Sequence, residues 1–164
     1  MKPKWWEKSK KHLSKKDKVM KRLIKSYKGN LTSRNNFFYS LTRSIISQQI
    51  SVSAADSVFS KFQKKCRGKI KPKIVSKLSI SDLRKCGLSR MKAIGIKSLA
   101  EKILNKSFNP KLIKNMSDEE AIVYLSSLRQ IGRWSSEMVL IFFYNRPNIW
   151  PVQDIGLLRA ISNN

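Results

Sequence analysis

The chain has 164 residues, 41% of them hydrophobic, so it can bury a core and does not have the composition of a disordered chain. Lys and Arg number 35 against 10 Asp and Glu, a formal charge of +25 that a polyanionic partner would relieve. Two cysteines without a Cys-x-x-Cys pair, and one histidine, exclude the common zinc spacings and a four-cysteine iron–sulfur cluster.

The positive charge runs along the whole chain, which favours nucleic acid as the partner. The alternative is a genome rich in Lys codons, which would account for part of the excess but hardly for the near absence of acids in residues 1–31. The N-terminus lacks the apolar core of a signal peptide, and the longest apolar run, 138–144, is too short to span a membrane. We expect a reduced cytoplasmic protein, nucleoid-associated if prokaryotic, in which Cys66 and Cys86 are packing residues.

The first predicted helix covers residues 14–28. Its apolar residues recur at the spacing of one helix face, and Gly29-Asn30 supplies a stop. The outer face is basic, so the pattern is equally compatible with covering the core and with direct DNA contact. The residues of the apolar face are Met20, Leu23, Ile24 and Tyr27.

Four more helices are predicted in the middle of the chain. The first runs from about Asn35 to Gln48, with Phe37, Phe38, Leu41, Ile45 and Ile46 inward. Ser51 or Ser53 caps the second, with Val52, Ala55, Val58, Phe59 and Phe62 inward. After a loop at 64–73, a short helix runs from Ser81-Asp82 to Gly87, and another from Met91 to Leu104.

Two helices flank a predicted hairpin near the end of the chain. Ser117 and Glu120 form a capping box that opens a helix to Leu128, and a nearly all-apolar, therefore buried, helix follows at 134–144. In the turn at 129–132 we assign Gly132 the positive φ and the close approach of a phosphate, which the first N–H groups of the next helix would bind. An ordinary helix–helix turn is the alternative.

The pattern of the whole chain predicts an all-α fold. Short helices with short connections follow one another, and no convincing alternating strand is present. We expect a single domain over residues 1–164, with a helix–hairpin–helix at 118–144.

Asp154 stands at a second predicted helix start, before Ile155-Gly156. Nucleic acid normally repels a carboxylate. The best explanation for an aspartate at this position is therefore that it takes part in a reaction on the nucleic acid. The alternative is an N-cap of the helix that follows, since Asp is favoured there, and both roles can coexist.

Three segments carry a family resemblance. The run Ile-Gly-Arg-Trp-Ser-Ser at 131–136 resembles the Ile-Gly-Arg-Trp-Thr-Ala run of the 3-methyladenine DNA glycosylase II family, within the helix–hairpin–helix DNA glycosylase group. Residues 43–51 resemble its Ser-Ile-x-x-Gln-Gln-x-Ser segment, and residues 88–93 its Gly-Leu-Ser-x-x-Lys-Ala segment. Asp154 lies at the family's spacing for the catalytic aspartate. The match covers nearly the whole chain in order.

The resemblance implies a two-lobed all-α enzyme. It would hydrolyse the N-glycosidic bond of alkylated purines in double-stranded DNA, 3-methyladenine above all, after flipping the base. A monomer is expected, with no required cofactor and no iron–sulfur cluster. The implied site comprises Asp154 as the catalytic carboxylate, Trp134 in the base pocket, Gln49 as the DNA wedge, Gly132, Ser135 and Gln130 at a DNA phosphate, and the carbonyls of Ser126, Leu128 and Ile131 around a structural Na⁺ or K⁺.

Trp134 also bears on the type of reaction. Members of the larger group that cut the DNA backbone resemble one another in having a lysine nucleophile at this hairpin position. Tryptophan cannot form a Schiff base, so the resemblance implies base hydrolysis without strand cleavage.

Two departures from the family favour a different protein. Gln130 stands where the family has glycine, and the chain ends ten residues after Asp154, whereas the family continues with helices that close the pocket. The alternative is a non-catalytic, C-terminally truncated helix–hairpin–helix DNA-binding protein. Asn163-Asn164 would then mark an interruption: a fragment, a truncated copy, or a product completed by another chain. A basic RNA-binding protein of ribosomal type is a weaker alternative, because its aromatic residues would be exposed for stacking.

Overall fold

The computed structural model describes residues 2–32 and 36–163, which contain ten α-helices, one 3-10 helix and no strand. Asn35 and Asn164, at the start of a predicted helix and at the end of the chain, lie outside the described residues. The helices are α1 (Trp6–Lys16), α2 (Lys18–Ser26), α3 (Phe37–Ser47), α4 (Val52–Lys65), α5 (Pro72–Val75), α6 (Ile80–Lys85), α7 (Arg90–Leu104), a 3-10 helix (Pro110–Asn115), α8 (Asp118–Ser126), α9 (Arg133–Phe142) and α10 (Ile155–Ser162).

The chain divides into two compact units, which confirms the two-lobed all-α prediction. One comprises Met1–Asn35 with Glu137–Asn164, and the other Asn36–Ser136, so the boundary falls inside α9. Throughout the described ranges, every helix is too short or too polar to cross a membrane.

The unit Asn36–Ser136 is built around α7, which packs against α3, α5 and α6, while α4 packs on α3. The apolar face of α3 is buried as predicted, with Leu41, Ile45 and Ile46 fully inaccessible. Each such side chain contributes roughly 1.5–3 kcal/mol on leaving water. This core holds the ends of α3 and α7 in place, and both ends carry residues of the candidate site.

The N-terminal segment differs from its prediction because Asp17 divides it into two helices. Its Oδ1 accepts a hydrogen bond of 2.7 Å from the Met20 N–H and so caps α2, while α1 ends just before it. An aspartate that caps one helix stands in extended conformation and cannot continue the preceding helix. Tyr27 lies outside α2 and is exposed, so it does not extend the apolar face.

Several other predicted boundaries shift because a cap or a proline sets them. Ser51 caps α4, which leaves Val52 exposed at the first turn, contrary to its predicted inward position. Pro72 opens the short helix α5 inside the predicted loop. Ser79 and Asp82 form a reciprocal capping box, so α6 starts earlier than predicted. The capping box of Ser117 and Glu120 at α8 is confirmed.

Both cysteines are free and buried, as their predicted packing role requires. Burial raises the pKa of the Cys66 thiol to about 11 and also raises the pKa of Cys86. The thiolate, which is the reactive form, is therefore scarce at neutral pH.

Candidate functional site

The hairpin between α8 and α9 turns at Gln130, and not at Gly132. Gln130 has φ +68°, in the left-handed region, whereas Gly132 does not have a positive φ. The assignment of the positive φ to Gly132 is therefore wrong. The left-handed turn falls at the position where the family has its first glycine, so Gln130 adopts a conformation that glycine takes more readily.

Gly132 contributes open space. A Cβ placed on it would meet nothing within 4 Å, so its face of the turn is clear for a ligand. Its carbonyl accepts hydrogen bonds of 3.0 Å from both the N–H and the Oγ of Ser136. The first backbone hydrogen bond within α9 is therefore donated by Ser136. The Ser135 N–H belongs to the first turn, whose N–H groups have no acceptor within the helix.

Gly95, in the middle of α7, lets the hairpin lie close to that helix. A Cβ there would lie 2.8 Å from Gln130 Cγ and 3.2 Å from the Arg129 carbonyl oxygen, distances that need either the hairpin or α7 to move. The missing side chain thus allows α7 to serve as a platform for the turn.

The C-terminal end of α3 meets the same hairpin through Gln48. Its Nε2 donates to the Gln130 carbonyl at 2.8 Å and to Ser135 Oγ at 3.2 Å. The next residue, Gln49, is exposed and has φ +56°, a second left-handed conformation on a non-glycine residue. Of this glutamine pair, one side chain is therefore engaged with the hairpin and the other lies at the surface.

Lys92, in the first turn of α7, binds the end of α3. Its Nζ donates to the Ile46 carbonyl at 2.8 Å and to the Gln48 carbonyl at 2.6 Å. A cation at the C-terminus of a helix is favoured by the orphan carbonyls and by the helix dipole. Burial lowers the pKa of Lys92.

The end of α3, the start of α7 and the hairpin border one cavity of about 550 Å³. Four predicted site residues line it together: Gln49, Gln130, Trp134 and Ser135. Trp134 is 39% exposed and Phe142 is 41% exposed, so the prediction that this helix is buried is wrong at both of its ends. The remaining lining comes from Ser47, Gln48, Ser89, Met91 and Lys92.

An ion pair joins the two helices of the hairpin at its outer side. The Arg133 guanidinium donates from Nη1 to Glu119 Oε2 at 3.0 Å and from Nη2 to Glu119 Oε1 at 2.5 Å. The pair is exposed, and the guanidinium lowers the pKa of Glu119. A two-point contact of this kind fixes the orientation of α8 against the start of α9.

The three carbonyls implied as cation ligands border the same turn. Ser126 is the last residue of α8, whose final carbonyls lack internal donors. The Leu128 carbonyl accepts the Ile131 N–H at 3.1 Å, which leaves its second lone pair. Neutral carbonyl oxygens are ligands for hard cations, so the chemistry of this set fits an alkali ion. In the described ranges, no group of three or more His, Cys, Asp and Glu side chains is placed to hold a metal.

Asp154 belongs to the other unit and is the N-cap of α10. Its Oδ1 accepts the Leu157 N–H at 2.8 Å, and its carbonyl accepts the Leu158 N–H at 2.9 Å. A Cβ on Gly156 would lie 3.1 Å from that Oδ1, so glycine leaves room for the carboxylate. The half-buried Asp154 side chain is thus held in place by the helix start.

Sequence reasoning assigned no role to Gln48, Lys92 or Gly95. Lys92 stands in a segment that carries the family resemblance, but its partners are carbonyls 44 and 46 positions away. Gly95 gave a usable signal, because a glycine inside a helix often marks a close approach.

Taken with this site, the fold defines a class of protein. The chain belongs to the HhH-GPD superfamily of base excision DNA repair proteins, whose family model matches residues 42–163, and within it to the 3-methyladenine DNA glycosylase family.

Two relatives from Schizosaccharomyces pombe illustrate the likeness. DNA-3-methyladenine glycosylase 1 is 33% identical over 153 residues, which cover 89% of this chain and 67% of the relative. An alkylbase DNA glycosidase-like protein is 32% identical over 159 residues, 93% of this chain and 75% of that protein. The solved 3-methyladenine DNA glycosylase of the same organism, in complex with abasic DNA, superposes with a TM-score of 0.79 at 32% identity, over 92% of this chain and 76% of that one.

Proposed function

We propose that this protein is a DNA repair glycosylase that hydrolyses the N-glycosidic bond of alkylated purines, 3-methyladenine foremost, after flipping the base out of the duplex. The observation that carries the proposal is the Asp154 carboxylate, held by the start of α10 in a chain of charge +25. A relative of known structure is bound to abasic DNA, the product of such a reaction, and the two curated relatives are named DNA-3-methyladenine glycosylase 1 and alkylbase DNA glycosidase-like protein.

The chemistry required of Asp154 is electrostatic. As the bond between C1′ and the base nitrogen breaks, the base leaves with the electron pair and the sugar acquires oxocarbenium character. A carboxylate beside C1′ stabilises that positive charge, and it accepts a proton from the water that forms the new C1′–O bond. A purine methylated at a ring nitrogen is cationic, so its departure as a neutral base needs little acid catalysis.

Trp134 and Gln49 supply recognition in this proposal. The partly exposed indole offers an electron-rich face, which attracts a cationic base by cation–π interaction. Gln49 would fill the space that the flipped nucleotide leaves in the stack. Tryptophan at residue 134 also implies that no Schiff base forms, so borohydride treatment of protein with damaged DNA should trap no covalent adduct.

The hairpin would hold a DNA phosphate at Gly132 and Ser135, with Gln130 beside it. The carbonyls of Ser126, Leu128 and Ile131 would bind a monovalent cation, whose charge supports the phosphate. Replacing K⁺ by tetramethylammonium at constant ionic strength should then weaken binding to abasic DNA. Equal affinity in the two salts would remove the cation from the proposal.

Asp154→Asn tests the catalytic role. Asparagine caps helices as well as aspartate does, so α10 should remain folded while the negative charge is lost. We expect release of free 3-methyladenine from methylated DNA to fall by about 100-fold or more, with DNA binding retained.

Asp17→Asn is the matched control, because Asp17 also caps its helix by accepting the N–H of the residue three positions on. It should release bases at the wild-type rate. Wild-type protein that binds DNA but releases no base would identify a non-catalytic DNA-binding relative.

A further inference from the structure

Gln49 is exposed, and neighbouring side chains hold its backbone near the hairpin. These side chains are those of Gln48 and Lys92. Gln48 Nε2 reaches the carbonyl of Gln130, 82 positions further along the chain, and also the Ser135 hydroxyl. The first acceptor is a backbone oxygen. This hydrogen bond therefore depends on where the turn lies and not on which side chain residue 130 carries. Ser135 is itself almost fully buried, so its hydroxyl is a fixed acceptor.

Lys92 fixes the peptide unit that connects Gln48 to Gln49. Its ammonium group binds the Gln48 carbonyl at 2.6 Å, and that carbonyl lies in the same plane as the Gln49 N–H. Holding this plane limits both ψ of Gln48 and φ of Gln49, the two torsions on either side of it. The second contact, to the Ile46 carbonyl, fastens the same ammonium to the last turn of α3.

Gln49 needs such support because its backbone conformation is unfavourable. A left-handed φ is unfavourable for a residue with a Cβ and persists only where its surroundings impose it. The contacts that bracket it are those of Gln48 and Lys92.

We infer that Gln48 and Lys92 are positioning residues, which together set the place of the Gln49 wedge relative to the phosphate-binding hairpin. Gln48 links the end of α3 to the hairpin. Lys92 holds the peptide plane between residues 48 and 49 and so sets the direction of the chain at Gln49. The distance between a gripped phosphate and the inserted side chain is then fixed before DNA binds. This inference rests on the proposed function, because it takes Gln49 as the wedge.

The same helix offers a matched control for Lys92. Lys97 also donates to two backbone carbonyls, those of Ser76 at 2.7 Å and Leu78 at 2.8 Å, at the end of α5. Lys97→Met and Lys92→Met therefore remove the same charge and the same kind of backbone contact from one helix, and Lys97→Met also removes an ion pair of 3.7 Å with Glu101. Only Lys92→Met releases the peptide unit before Gln49. Gln48→Met keeps the side-chain length and removes the donor.

The experiment uses a duplex with a tetrahydrofuran abasic analogue beside 2-aminopurine, whose fluorescence rises when a wedge disturbs the stack. We expect Lys92→Met and Gln48→Met to lose most of the rise seen with wild-type protein and to release 3-methyladenine about tenfold more slowly. Lys92→Met should bind undamaged duplex with the affinity of Lys97→Met, which has the same net charge. Gln48→Met should bind it with the affinity of wild-type protein. Lys97→Met should retain both the rise and the rate, with a similar loss of thermal stability.

Two results would overturn the inference. One is a fluorescence rise in Lys92→Met and Gln48→Met as large as in Lys97→Met. The other is the absence of any rise with wild-type protein. The fluorescence measurement needs no bond cleavage, so a wild-type protein that shows the rise without releasing a base would contradict the proposed function and leave the positioning role supported.

Discussion

At Asp154, the smallest neighbouring residue decides where the carboxylate can lie. Gly156 follows it in the first turn of α10, and a Cβ there would lie 3.1 Å from Asp154 Oδ1, closer than ordinary van der Waals contact. The carboxylate would have to move by a few tenths of an ångström. In its proposed catalytic role, Asp154 should be sensitive to a displacement of this kind.

Gly156→Ala should therefore separate activity from stability. Alanine is favoured over glycine in helices by up to about 1 kcal/mol, which offsets the weakened hydrogen bond from the Leu157 N–H to Asp154, so the melting temperature should change little. Base release should fall by about tenfold because the carboxylate is displaced. Gly29→Ala, where a Cβ would meet no atom within 4 Å, is the control and should leave base release unchanged. Wild-type rates in Gly156→Ala would show that the carboxylate tolerates the extra methyl group.

Gln130 is the residue at which the hairpin departs from its family. Both Gln130→Gly and Gln130→Ala remove the glutamine side chain beyond Cβ. Only glycine also relieves the backbone strain of the left-handed φ, because it has no Cβ. Gln130→Gly should be more stable than Gln130→Ala by about 1 kcal/mol, a difference of about 2–4 °C in melting temperature. Thermal unfolding of the two variants measures this directly. Equal stability would mean that the Gln130 backbone conformation is not strained.

Among the elements, α7 combines two functions in one helix. Its first turn binds the end of α3 through Lys92, and its middle turn accepts the hairpin at Gly95. Both contacts lie on the helix that is central to the core of its unit. Displacing α7 should therefore disturb the backbone at Gln49 and the hairpin together.

Gly95→Ala tests the platform. Although alanine favours a helix, its Cβ would press on Gln130 Cγ and on the Arg129 carbonyl, so we expect about tenfold weaker binding to abasic DNA. Adding Gln130→Gly removes the side-chain part of the clash and should restore part of the affinity. Binding titrations of the single and double variants test this. An unchanged affinity in Gly95→Ala would show that the hairpin is free to shift away.

The sequence predicted most elements because their signals are local. The apolar face of α3 and the capping box of Ser117 and Glu120 depend only on residues within one or two turns. The break at Asp17 was missed because the same residue type is tolerated inside a helix and favoured at its start. Gln48 and Lys92 could not be found this way, since their hydrogen bonds join residues more than 40 positions apart.

At the scale of the whole molecule, charge should dominate DNA affinity. A net charge of +25 attracts the phosphate backbone whatever the base sequence, and each neutralised phosphate releases counterions. If six to ten phosphates are contacted, affinity should fall by about 10³–10⁵ between 50 and 200 mM salt. Titrations of abasic and undamaged duplex at several salt concentrations measure both slopes. Salt-independent binding would contradict an electrostatic interface.

The two buried cysteines make this chain convenient for spectroscopy. Since burial holds Cys66 and Cys86 largely as unreactive thiols, the folded wild-type protein should resist maleimide reagents at neutral pH. A single cysteine introduced at an exposed position such as Val123 could then be labelled selectively without removing either native thiol. A dye at that position would report a change in the surroundings of α8 when DNA binds.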